Sequence, residues 1–199
     1  MVLKSILYFT ACILFLFFYW KRLREDYISS QIFTSGFYIL FGIIIGKLIS
    51  FRFAPDLWFW FSFIGFFLSI WIGILRFKLR IFETFEAAIY AGLTGYLVIQ
   101  VDLLINQKTL SILIWVIITL CLITLFLFLD KRYKRFTWYK SGKVGFSGMS
   151  VAGAFFLIRS LVALFDNDML SLGGYEAILS GIVAFTSFLA VYNLAKQTQ

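Results

Sequence analysis

Seven apolar runs follow one another along the chain with only short breaks between them, and each is long enough to cross a bilayer. They cover approximately residues 2–20, 32–50, 57–75, 82–105, 110–129, 144–165 and 172–194. A helical span needs about 20 mainly apolar residues to cross about 30 Å of hydrocarbon. The breaks carry most of the charges and the single proline, Pro55. Backbone facing lipid must satisfy its own hydrogen bonds, so the runs are read as helices. The expected fold class is all-α: a polytopic membrane bundle of seven transmembrane helices, forming one domain over residues 1–199. No Ser/Gly/Pro-rich linker, low-complexity tract or internal repeat divides it.

Composition excludes a soluble alternative. The chain is 62% hydrophobic and 14% charged, with mean hydropathy +0.94, where soluble domains are about half apolar and a quarter charged. A water-soluble core of this size has no room for that excess. Histidine is absent, and Cys12 and Cys121 each sit inside an apolar run. A four-ligand zinc site and Cys–His catalysis therefore have no residues to build on, and no disulfide framework is implied. No cofactor or metal is expected. The cysteines read as small apolar packing residues.

Charge sets the expected topology. Connections 1, 3 and 5 and the tail hold 13 Lys and Arg residues, among them Arg22, Arg76, Lys78, Arg80 and the run from Lys131 to Lys143. The opposite side holds three, Lys4, Arg52 and Lys108. The positive-inside rule then places the N-terminus outside and the C-terminus in the cytoplasm. The first run is followed, not preceded, by its basic cluster and shows no small-residue cleavage site, so it reads as an uncleaved helix rather than a signal peptide. Connection 5 interleaves Phe136, Trp138 and Tyr139 with basic residues, imitating a nucleic-acid patch. In a membrane chain the same pattern places aromatics at headgroup level and cations towards anionic lipid, and no nucleic-acid partner is expected.

Two basic residues, Lys47 and Arg159, remain inside spans. Intramembrane ionisable groups are costly and point to function or to a named partner. With the expected topology, Lys47, Gln100, Asp102, Arg159 and Glu176 share the outer third of the membrane. One reading is structural: Lys47 and Glu176 snorkel to the interface, and Asp102 neutralises Arg159. The other is a cavity holding an anionic group such as a lipid phosphate, which the arginine fork suits. Glu83 and Glu86 lie where a helix N-terminus favours carboxylates. Gly42-x-x-x-Gly46 would let a neighbouring helix approach closely.

The segments Arg135-Phe-Thr-Trp-Tyr-Lys-Ser-Gly-Lys-Val-Gly-Phe146 and Phe156-Leu-Ile-Arg-Ser-Leu-Val-Ala-Leu-Phe165 resemble the C-terminal part of the prolipoprotein diacylglyceryl transferase family. Gly42 to Leu48, and Phe61 to Arg80 followed by Gly92 to Asn106, are similar to its glycine-rich second helix and its signature helix pair. The resemblance implies seven helices in the plasma membrane of a prokaryote. It also implies transfer of diacylglyceryl from phosphatidylglycerol to the lipobox cysteine of a lipoprotein precursor at the outer leaflet. The resemblance sets Arg159 at the family's last arginine and Asn106 at a signature asparagine; together with the polar layer, this makes Arg159 and Asp102 the candidate catalytic residues, and Lys47, Gln100, Asn106 and Glu176 the substrate-binding ones. The family's histidine position falls at about Ile64, its signature arginine near Gln100 or Val101, and the acidic residue after its last arginine at Ala163. A non-catalytic phospholipid-binding or scaffold relative of that fold is the alternative. A small transporter is a third reading, less favoured because transporters place ionisable residues near the midplane and show repeated halves.

Overall fold

A computed structural model describes residues 2–136, 139, 144–165 and 174–196, with side chains omitted at 2, 3, 165 and 174. Among them it is all-helical, with seven long helices: α1 (Val2–Leu23), α2 (Ser29–Phe53), α3 (Trp58–Phe77), α4 (Ile81–Gln107), α5 (Leu110–Arg132), α6 (Phe146–Phe165) and α7 (Gly174–Lys196). All seven are long and apolar enough to cross a membrane. The seven runs thus become seven helices, mostly extended a few residues beyond the apolar windows. The start of the last window, 172–173, lies outside the described residues. Phe9, Phe41, Leu75, Leu164 and Phe185 each expose more than half of their surface. Apolar exposure on that scale suits lipid rather than water.

The breaks have local causes. After Ala54, Pro55 opens a 3-10 turn at Pro55–Leu57, its ring fitting a first helical position. Lys78 and Lys108 end α3 and α4 in the left-handed region, at φ 53° and 49°. That conformation normally belongs to glycine at a helix C-terminus.

Consecutive helices pack antiparallel. In α2 and α3, a Cβ on Gly42 would overlap Ser69 and the Gly65 carbonyl, and one on Gly46 would overlap the Phe61 carbonyl. The small-residue step found in the sequence therefore has α3 as its partner. Without a hydrophobic drive between helices in lipid, such backbone approach supplies much of the association. Gly46→Ala is expected to push α2 from α3 and to cost about 1–3 kcal/mol, as overpacking does. Thermal denaturation in detergent, with the exposed Ile45→Val as control, measures it.

Helix α4 is central. It packs along α1, with Gly95 against Ala11 and Phe15, and along α5, where the Tyr90 and Phe126 rings stack at 4.5 Å. It runs parallel to α6, with Tyr96 against Phe155. Helices α6 and α7 form the other tight hairpin, with Gly153 against Phe188 and the Ser160 hydroxyl donating to the Ala177 carbonyl. Below, the N side is the end with the start of α1 and the α2–α3, α4–α5 and α6–α7 connections. The C side is the opposite end.

Candidate functional site

The structure gathers buried charge at both ends of the bundle. Toward the N side, Arg159 lies 13 residues into α6, about 20 Å along a helix about 30 Å long. Its Nε donates to Glu176 Oε1 in the first turn of α7. The carboxylate also accepts the indole N–H of Trp60 from α3 at 2.7 Å and the Ser180 hydroxyl at 3.1 Å. The Arg159 guanidinium carbon stands 3.6 Å from the centre of the Phe59 ring. Only 4% of Arg159 and 0% of Glu176 is exposed, so each ion depends on the other. Trp60 and Ser180 fix the carboxylate, and Phe59 fixes the plane of the guanidinium.

The terminal amino groups of Arg159 are not used by this arrangement. They donate no hydrogen bond among the described residues. One helical turn beyond the Tyr96–Phe155 contact, the parallel register of α4 and α6 brings Gln100 and Arg159 to the same level, with Tyr96 near both. Gln100 is 3% exposed, and among the described residues its amide makes no hydrogen bond of good geometry, the Tyr96 phenol being the polar group within reach. The Tyr96 phenol faces both the Gln100 amide and the Arg159 charge. The arrangement thus offers donors on a fixed plane and an amide that can donate and accept, within aromatic walls.

Three sequence expectations change. Arg159 is neutralised by Glu176 and not by Asp102, so Glu176 is a buried partner rather than a snorkelling one. Asp102, two residues from Gln100, points to a different side of α4. It is bonded at one oxygen by Asn106 of its own helix at 3.0 Å and is unpartnered at the other. Asn106 also donates to the Asp102 carbonyl, so its amide completes the end of α4. Lys47 is exposed on α2, 5.5 Å from the Tyr8 ring of α1. The cluster therefore keeps Arg159, Gln100 and Glu176, adds Trp60, Ser180 and Tyr96, and does not gather Lys47, Asp102 and Arg159 together. Trp60 lies in the aromatic run Trp58-Phe-Trp-Phe61, where nothing sets it apart from its neighbours. Only its indole N–H carries the role, and no spacing marks it.

At the C side, Arg22 of α1 binds Glu86 of α4 and both oxygens of Asp130 of α5, the second at 3.0 Å. The other oxygen of Glu86 accepts the Gly145 amide at 2.6 Å. Gly145 has φ 116°, and a Cβ there would come within 2.7 Å of Phe82, so only glycine brings this amide to the carboxylate. Glu86 is thus a buried acceptor joining three helices and the entry to a fourth, more than a helix-end carboxylate. Nearby, the Tyr27 hydroxyl donates to Glu83 at 3.1 Å and accepts the Arg80 amide at 2.9 Å. Burial pushes the Tyr27 phenol above its ordinary range, against the pull of the Arg80 bond.

No protein-family model matches the chain, and no curated protein or solved structure shows significant similarity to it.

Proposed function

We propose that the chain is a multi-pass protein of a prokaryotic plasma membrane, with its N side outward, whose Arg159 cluster holds the phosphate of an anionic phospholipid such as phosphatidylglycerol. The carrying observation is a pair of groups with spare hydrogen-bonding capacity among the described residues: the terminal amino groups of Arg159, on a residue 4% exposed, and the buried Gln100 amide. Burying an amide without well-aligned partners costs about 1–3 kcal/mol. A phosphate with adjacent hydroxyls would relieve it, the phosphate on the guanidinium and a hydroxyl on the amide. The helix start of α7 near Glu176 adds further positive field.

The resemblance to diacylglyceryl transferases supplies a second reading, favoured by the place of Arg159 in the matching segment. In that reaction a thiolate sulfur bonds to the glyceryl carbon as the carbon–oxygen bond to phosphate breaks, releasing glycerol phosphate. The thiol proton needs an acceptor. The nearest carboxylate, Glu176, is already engaged by Arg159, Trp60 and Ser180. The geometry therefore favours binding over catalysis, and a transferring form would rest on positioning and electrostatics.

Native mass spectrometry of the protein released from phosphatidylglycerol nanodiscs tests the binding. Arg159→Lys keeps the charge but loses the fork, and is expected to weaken retention roughly tenfold. Gln100→Leu should weaken it less and erode the preference over phosphatidylcholine. Equal retention by all three proteins would refute the site. Adding a lipobox peptide to the same sample reads the second reading directly, through a diacylglyceryl adduct that disappears with Arg159→Lys. Orientation is tested separately: a Glu25→Cys probe should resist impermeant label in intact cells while Asp56→Cys reacts, and the reverse pattern would invert the topology.

A further inference from the structure

The formal charge of +8 lies entirely at one end. Counted by helix end and connection, the C side holds 13 basic and five acidic residues, while the N side holds five of each. Three of the C-side acids, Glu83, Glu86 and Asp130, are engaged with Arg80 and Arg22. Lys21, Arg24, Arg76, Lys78, Lys131, Arg132, Lys134, Arg135 and Lys196 are all exposed and form no ion pair among the described residues. Among the described residues, this end has neutralised most of its own acids and left nine cations without an ion-pair partner.

Four of these cations also lie against aromatic rings. Arg132 lies 4.5 Å from the centre of the Phe128 ring, Lys196 4.5 Å from Tyr192, Arg24 5.4 Å from Trp20 and Arg76 5.8 Å from Tyr38. In each pair the ring precedes the cation by about one turn or sits on a neighbouring helix, and the charge lies over the aromatic face. That is the geometry of a snorkelling residue at a membrane interface. The pairs come from α1, α2 with α3, α5 and α7, so they are spread over several helices rather than confined to one.

We infer that this belt binds the anionic phospholipid headgroups of the C-side leaflet, as a shell distinct from the Arg159 cluster and independent of it. Each cation near an anionic surface adds attraction that fades within a Debye length, which is about 8 Å at physiological salt. Belt contacts should therefore be multiple, individually weak and salt-sensitive, whereas a phosphate on buried Arg159 should resist salt. Cations spread over several helix ends fit a leaflet better than a nucleic acid, which needs a continuous groove or patch.

The test uses the full chain in phosphatidylcholine vesicles containing spin-labelled phosphatidylserine, a lipid other than the one assigned to the N side. The ratio of immobilised phosphatidylserine to immobilised phosphatidylcholine is read by electron paramagnetic resonance. The inference expects a clear preference for phosphatidylserine that falls towards unity in molar salt. It expects the same fall in the quadruple variant Arg24→Gln, Arg76→Gln, Arg132→Gln, Lys134→Gln. These residues are exposed, so the variant should fold, which its thermal midpoint in detergent confirms. Arg159→Lys should leave the ratio unchanged, even where it abolishes phosphatidylglycerol retention, so the two sites fail separately. A ratio indifferent to the quadruple change, or RNA binding that depends on these four residues without any lipid preference, would overturn the inference.

Discussion

Arg159→Met is expected to destabilise the protein by about 3–5 kcal/mol, while the double change Arg159→Met, Glu176→Gln recovers most of the loss. The single change leaves Glu176 charged and fully buried, supported only by the Trp60 indole and the Ser180 hydroxyl. Breaking a buried pair from one side carries that penalty because the surviving ion has nowhere to be solvated. A glutamine at 176 still accepts from Trp60 and Ser180 but carries no charge to strand. The two changes should therefore couple by about 0.5–3 kcal/mol, as directly contacting residues do. Asp102→Asn with Arg159→Met should show no such coupling, because Asp102 bonds within its own helix. Chemical unfolding in mild detergent, run as a double-mutant cycle, distinguishes the two partners. Coupling to Asp102 rather than Glu176 would show the pair to be misassigned.

The second large effect belongs to Arg22. It alone compensates Glu86 and Asp130 among the described residues, and Glu86 is 1% exposed. Arg22→Met should cost about 2–3 kcal/mol, below the fully buried figure because Arg22 and Asp130 keep partial contact with solvent. Glu86→Gln added to it should restore stability, since a neutral side chain at 86 tolerates the apolar neighbour and can still accept the Gly145 amide. Hydrogen exchange at that amide is the sharper readout: it should speed up in Arg22→Met and slow again in the double variant. Unchanged exchange in the single variant would mean that the network does not hold the entry to α6.

Most of the fold was legible because a bilayer leaves the chain few choices. Run length, the basic connections and Pro55 fix where helices start and stop, and the helices found exceed the apolar windows mainly because Lys and Arg at their ends still fit the last turn. The Gly42–Gly46 step was legible for the same reason: only a close backbone approach explains it, although its partner on α3 was not deducible. Pairing was harder. Sequence placed Arg159, Asp102 and Glu176 at one depth but carries no information about rotation around each axis. Asp102 and Gln100, two residues apart, point to different sides of α4, and that angle decides that Glu176 holds the arginine. Arg22 misled differently. Its place in a basic cluster made it look like a topology signal alone, while its reach to α4 and α5 depends on helix neighbours that no local pattern encodes.

If the terminal nitrogens of Arg159 and the amide of Gln100 together receive a phospholipid headgroup, the lipid itself should be visible there. The direct measurement is a cryo-electron microscopy structure of the protein in phosphatidylglycerol nanodiscs, at a resolution that shows lipid phosphates. The account predicts a phosphate about 3 Å from the terminal nitrogens of Arg159, a headgroup oxygen at the Gln100 amide, and the Glu176–Trp60 bond intact. Arg159 and Gln100 bonded to protein or water instead, with every resolved phosphate outside the bundle, would contradict it.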